Sequence, residues 1–265
     1  MICRAAPHYG EEPCISGSRG SGTVFFAGCN LRCVFCQNHE ISRGISGDVV
    51  SVPQLRKIFL RLRDQGVHNI NLVTPSHYTG AIAEALSGLD MGIPVVWNSS
   101  GYESVDSLRQ LEGLIQIYMP DFKYALSEPA ARYSGAADYP ERALEAIREM
   151  YRQVGPFQMD DEGILQSGLL IRHLILPGAA ENTLRVIDAV EDHLPARTIL
   201  FSLMSQYTPM PGTEQFPELQ RRVSWEEYER CASYLEFSDI EFGYFQSPES
   251  ATEEMIPAFD GTGVN

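Results

Sequence analysis

The chain has 265 residues, 44% hydrophobic and 21% charged, the composition of one ordinary globular domain with enough material for a large core. Its formal net charge of −15 argues against nucleic acid as a partner, because binding phosphates needs a basic footprint. No apolar run approaches the ~18 residues of a membrane span, and the opening MICRAAPHYGEEP lacks the apolar h-region of a secretory leader. With six cysteines, three of them clustered, a reducing cytoplasm is the expected compartment.

Residues 1–21 carry Gly, Pro and Ser without a sustained period and are expected to form an irregular arm. Thr23–Phe26 reads as an apolar strand that breaks at Ala27-Gly28 into a loop holding Cys29, Cys33 and Cys36. Ser51 caps a helix with Pro53 in its first turn; Leu55, Ile58, Phe59 and Leu62 share one face, and Gly66 ends it. A strand over 69–74, a helix over 81–89, a strand over 94–97, a helix near 103–111 and a strand over 114–119 follow. Asp138-Tyr139-Pro140 opens a long helix reaching Gln153, with Leu144, Ile147 and Tyr151 on one face.

The fifth strand is Leu169–Leu176, closed by Pro177-Gly178, then a helix over about 181–193 and a sixth strand over 198–203. Ser224 caps a last helix burying Tyr228, Cys231 and Leu235, and 240–245 has the pattern of a short extra strand. From Thr213 onward twelve acidic residues face three arginines, which reads as a solvated acidic face. Apolar strands alternating with helices predict a parallel sheet covered by helices. A closed eight-unit barrel needs about 250 residues, so six strong units with irregular ends predict an open, partial (β/α)6 barrel in a single domain. Its parts are an arm over 1–21, the barrel over 22–212, and an acidic helix and tail over 213–265 packed on it.

The three clustered cysteines, spaced C-x3-C-x2-C, are too close and odd in number for a disulfide framework, and thiolates so placed converge on a metal centre. Iron–sulfur clusters normally take four cysteines; a loop offering three leaves a position open, as a catalytic site must. A structural zinc with His39 or Cys14 as fourth ligand is the other reading. Cys3, Cys14 and Cys231 are too few and scattered for a second four-cysteine cluster. Working residues of barrels sit at the carboxyl ends of strands. Those ends read CNLRCVFC, TPSHY, NSSGY, PDFKY, Arg172 within the fifth strand, and MSQYTPMPG.

The cysteine spacing, with Phe35 just before the last cysteine, resembles the radical S-adenosylmethionine (SAM) enzymes. The resemblance implies that Cys29, Cys33 and Cys36 hold a [4Fe–4S] cluster whose fourth iron is chelated by the amino and carboxylate groups of SAM. WNSSGYE, PDFKY, LIRHLILPG and SLMSQYTPMPG look like the branch related to pyruvate formate-lyase activating enzyme, over about residues 11–212. By that likeness Phe35 packs on the adenine, Asn98 and Ser100 lie at the ribose, and Asp121 and Lys123 reach the carboxylate side of SAM. Arg172 matches a fifth-strand arginine, and Gln206 stands near a histidine of the activase.

Thr74, Ser76 and His77 replace a Gly-Gly-Glu turn that receives the SAM amino group, with Ser76 and backbone carbonyls as acceptors. Asn98 replaces an aspartate implicated in a monovalent-cation site. The implied function is reductive cleavage of SAM and hydrogen abstraction, as an activase of a glycyl radical enzyme or directly on a small molecule or peptide. Reduced flavodoxin or ferredoxin is the implied electron donor. Plainer readings stand beside these: Asp121 and Lys123 as an ordinary ion pair, His77 as loop decoration, and His173 as packing because it points opposite to Arg172.

Overall fold

The computed structural model describes residues 1–44, 47–246 and 257–264. Residues 45–46, 247–256 and 265, which include part of the acidic extension, lie outside the described residues. The strands are β1 (Ile2–His8), β2 (Ser21–Phe26), β3 (Ile70–Val73), β4 (Val95–Ser99), β5 (Ile117–Pro120), β6 (Gln158–Met159), β7 (Leu165–Leu174), β8 (Leu200–Met204) and β9 (Gly243–Gln246). They form one sheet in the order β1-β2-β3-β4-β5-β7-β8-β9, with β6 hung antiparallel on β7. From β2 to β9 every neighbouring pair on that path is parallel. The path ends at β1 and β9 without closing, so the sheet is an open partial barrel.

The helices are α1 (Pro13–Ser16), α2 (His39–Ser42), α3 (Val52–Asp64), α4 (Thr79–Leu86), α5 (Val105–Arg109), α6 (Ser127–Ser134), α7 (Tyr139–Val154), α8 (Ala180–His193) and α9 (Trp225–Glu236). Ser51 and Gln54 close a capping box at α3, and Leu55, Ile58, Phe59 and Leu62 are its buried face. In α7 the buried stripe is Tyr139, Ala143, Ala146, Ile147 and Met150, while Leu144 and Tyr151 flank it half-buried. Ala143 and Ala146 lie in the buried stripe, so it is rotated from the one the larger side chains suggest.

Inside the sheet, Cys14 and Ile15 of α1 join Val96, Ile117, Met119, Leu165, Leu170 and Leu200 in an apolar floor. Side chains alternate along strands. Asn98, Asp121, Arg172 and Ser202 therefore project to the same interior, two residues nearer the carboxyl ends. An apolar floor beneath a polar layer positions the site.

The arm over 1–21 is not irregular. Ile2–His8 pairs antiparallel with β2, from Ile2 opposite Phe26 to His8 opposite Ser21, and Pro13–Ser16 forms α1. ICRAAPH has one β-branched residue and a proline, so its strand character comes from its partner and its edge position rather than from propensity. Its outer edge is covered by the chain end: Ala5 N–H donates to the Thr262 carbonyl at 2.9 Å, and Gly261 N–H to that of Cys3 at 3.0 Å. The extra strand expected over 240–245 is β9, which extends the parallel run beyond β8.

Candidate active site at the carboxyl ends of the strands

A cavity of about 260 Å³ opens at the carboxyl ends of the strands. The loop after β2 supplies Cys29, Leu31, Cys33, Phe35 and Cys36, and the end of β3 supplies Val73 and Thr74. Asn98 and Ser100 come from β4 and its turn, Asp121 and Lys123 from the loop after β5, Arg172 and Leu174 from β7, and Met204 and Gln206 from β8 and beyond. Glu11 enters from the amino-terminal segment.

The cysteine loop is held by backbone contacts. Val34 N–H donates to the Tyr133 carbonyl at 2.9 Å, and Arg43 donates to the Cys33 carbonyl at 2.9 Å. Each sulfur also has a polar neighbour: Leu31 N–H at 3.5 Å from Cys29, the Ser134 hydroxyl at 3.0 Å from Cys33, and the Ser42 hydroxyl at 3.4 Å from Cys36. Burial pushes the Cys29 thiol up to about 11 and raises that of Cys33. Burial therefore favours the neutral thiols, and a bound cation would be needed to hold them as thiolates.

The polar layer is built on Arg172. Its Nε donates to Asp121 Oδ1 at 3.0 Å, Nη1 to Glu11 Oε2 at 3.0 Å and Nη2 to Asn98 Oδ1 at 2.7 Å. Lys123 Nζ meets Asp121 Oδ2 at 2.6 Å, so the two form an ion pair that also faces the cavity. Burial works against the Asp121 carboxylate, but Lys123 and Arg172 outweigh it and hold its pKa below the usual range. Burial likewise works against Lys123, and Asp121 outweighs it, raising the ammonium pKa. Glu12, buried with Arg172 3.8 Å away, is pushed up by desolvation more than the guanidinium lowers it.

The NSSGY turn is fixed by Tyr139. Its hydroxyl accepts from Lys123 N–H at 2.9 Å and lies 2.8 Å from the Ser100 carbonyl and 2.7 Å from that of Asp121. Gly101 has φ +73°, and a Cβ there would stand 2.7 Å from the Asp121 carbonyl oxygen. Only glycine fits that approach. Beneath the turn the buried Glu103 accepts from Ser76 Oγ at 2.6 Å, Trp97 Nε1 at 3.0 Å and Ser99 Oγ at 3.0 Å.

Two expected site residues stand outside the cavity lining in this structure. Ser76 is turned onto Glu103, and neither it nor His77 lines the cavity. His77 packs instead near Gly28. Thr74 does line it, with φ +58°, a conformation strained for a β-branched residue. His173 is buried between the Phe122 carbonyl and Thr183 Oγ1, and burial lowers its pKa to about 4, which is packing.

The profile of the Radical SAM superfamily matches residues 23–157. The chain belongs to that superfamily. The uncharacterized protein MJ0674 of Methanocaldococcus jannaschii is 30% identical over 247 residues, which cover 89% of this chain and 67% of the relative. SuiB of Streptococcus suis has a similar fold, with TM-score 0.57 at 11% identity over 85% of this chain and 49% of that one. HydG, a maturase of the [FeFe]-hydrogenase, gives TM-score 0.54 at 14% identity over 87% of this chain and 51% of that one. The chain spans about half the length of these two structures, and the likeness concerns the fold.

Membership of the Radical SAM superfamily implies a [4Fe–4S] cluster and S-adenosylmethionine, and the donor set fits. Three soft sulfur donors line one cavity. Among the described residues, no group of three or more His, Cys, Asp or Glu side chains is close enough to ligate one ion. Ligands of one tetrahedral zinc would stand about 3.8 Å apart, whereas the irons of a cube hold their thiolates further from one another. Neither proposed fourth zinc ligand serves: Cys14 lies in the apolar floor, and His39 is not part of the lining. A second cleft of about 340 Å³, at the amino ends of β4 and β5, carries Asp90 as its one ionisable side chain. No helix among the described residues is long and apolar enough to cross a membrane.

Proposed function

We propose that the protein is a radical SAM enzyme of the activase-like branch, abstracting a glycine α-hydrogen in a partner glycyl radical enzyme. The supporting observation is that Cys29, Cys33 and Cys36 share one cavity with the Asp121–Lys123–Arg172 charge cluster, on the loops whose sequences resemble that branch. When bound, the cluster and SAM supply a 5′-deoxyadenosyl radical by one-electron cleavage of the sulfonium.

The protein contributes binding, orientation and dryness. Lys123, oriented by Asp121, presents an ammonium to a carboxylate. Arg172 fixes Asp121 and Asn98 in place, and Asn98 and Ser100, which line the cavity, would hold the ribose hydroxyls. Phe35, buried and set edge-on to Tyr207 at 6.4 Å, offers an apolar face for a base. Gln206 Oε1 has no hydrogen-bond partner among the described residues and is an acceptor for a bound donor. Leu31, Val73, Leu174 and Met204 exclude water from the reacting atoms. Reduced flavodoxin or ferredoxin is the electron donor in this scheme, and the cytoplasm its compartment. The barrel over 22–212 carries the site, with the acidic segment over 213–265 as an accessory.

A second reading, direct action on a small molecule or peptide, is favoured by the TPSHY turn, where Ser76 faces Glu103 instead of the cavity. Electron paramagnetic resonance (EPR) separates the two. A glycyl radical on a co-encoded large protein, dependent on this enzyme and SAM, supports activation. A modified small product without any protein radical supports the second reading.

A further inference from the structure

Ser134 ends α6, and its hydroxyl stands 3.0 Å from the sulfur of Cys33. The Tyr124 hydroxyl stands 2.8 Å from the same serine oxygen. All three residues are buried: 8% of Cys33, 4% of Ser134 and none of Tyr124 reaches solvent. Tyr139 meets the Tyr124 ring edge-on at 5.3 Å, and the Val34 N–H bond to the Tyr133 carbonyl ties α6 to the cysteine loop. Water does not compete with these contacts, and in a dry site each is stronger than in solution.

We propose that Ser134 and Tyr124 form a two-hydroxyl relay that raises the reduction potential of the iron–sulfur cluster through its Cys33 ligand. This rests on Cys33 being a cluster ligand. A ligand thiolate has no proton to give, so the Ser134 O–H must donate to sulfur, and Tyr124 must then donate to Ser134. Burial raises the Tyr124 pKa well above its ordinary value, so its proton stays in place. Adding an electron makes the ligand sulfurs more negative. A donor aimed at one of them therefore stabilises the reduced cluster more than the oxidised one. Tyr124 touches no ligand; it is a positioning residue that acts through Ser134.

The test is an EPR-monitored potentiometric titration of the reconstituted, SAM-free full chain. Ser134→Ala is expected to weaken reduction threefold to tenfold, a fall of about 28 to 59 mV for one electron. Tyr124→Phe, which keeps the ring, should give about twofold, ~18 mV, because it removes only the polarisation of the second bond. Ser134→Thr, which keeps the hydroxyl, should restore the parent value, and Tyr124→Phe should add nothing once Ser134 is alanine. An unchanged potential in an iron-loaded Ser134→Ala protein overturns the proposal. So does a Tyr124→Phe shift that persists in the Ser134→Ala background. Should Ser134→Ala fail to hold iron, the volume-neutral Tyr124→Phe decides alone. A parent chain that takes up no iron would instead overturn the radical SAM reading itself.

Discussion

Replacing Arg172 with methionine removes the cation that holds the polar layer together. The guanidinium makes three short bonds, to Asp121, Glu11 and Asn98, and its side chain is 15% exposed. Without it the carboxyl groups of Asp121, Glu11 and Glu12 lose their shared cation, and Lys123 remains as the one paired with Asp121. Breaking such a buried arrangement typically costs about 3–5 kcal/mol. Protonation sets a ceiling, because the stranded carboxyl can take up a proton instead. At pH 7 that costs about 4 kcal/mol for an ordinary pKa near 4, and at pH 5 about 1.4 kcal/mol.

Arg172→Met should therefore lose about 3–4 kcal/mol at pH 7 and under about half of that at pH 5. Equilibrium urea unfolding of the metal-free, reduced chain measures both, with an unchanged m-value showing that the transition itself is preserved. Glu11→Gln in the Arg172→Met background should recover part of the loss, a coupling of roughly 1–3 kcal/mol. A loss below about 1 kcal/mol at pH 7, or one equally large at pH 5, would refute the electrostatic account of this layer.

Gly101→Ala forces a side chain onto a left-handed backbone and against the Asp121 carbonyl; about 2 kcal/mol of strain is expected, with SAM affinity by calorimetry down at least about tenfold. Ser76→Ala should leave SAM affinity within about threefold while removing about 1 kcal/mol of stability, since it deprives Glu103 of one of three donors. A large loss of SAM binding would return Ser76 to the site. His173 is held neutral with a folded pKa of about 4, against ~6.5 unfolded. The unfolded chain takes up the proton first, so this stability is present above the unfolded value and is lost as pH falls toward the folded one. From pH 7 to pH 5 the loss is about 2 kcal/mol, and His173→Gln should flatten that slope in pH-dependent urea melts.

The parts of the site legible in the sequence are those whose chemistry is local. C-x3-C-x2-C is a metal signal within one loop, and NSSGY, PDFKY and Arg172 announce themselves as polar residues ending apolar strands. The illegible parts depend on contacts distant in sequence. Glu11 meets Arg172 across 161 positions, and nothing in GEEPC marks it as an ion-pair partner. Glu103 has two nearby donors, Trp97 and Ser99, and a distant one, Ser76, but looks like any loop glutamate until the fold turns all three onto it. Ser134 lies in SEPAARYS, whose proline hides α6. Strand β1 escapes because an edge strand borrows its conformation from its neighbour. For Ser76 the residue type suggests an acceptor for an ammonium, while the fold directs its hydroxyl to a buried carboxyl.

The most direct test of the central claim is anaerobic reconstitution followed by reduction in the presence of SAM. The parent chain should take up about four irons and form 5′-deoxyadenosine and methionine. Cys33→Ala should form neither product. SAM cleavage retained by Cys33→Ala, or a parent chain that loads its irons and leaves SAM intact, would contradict the assignment of the Cys29–Cys36 loop as the radical-generating centre.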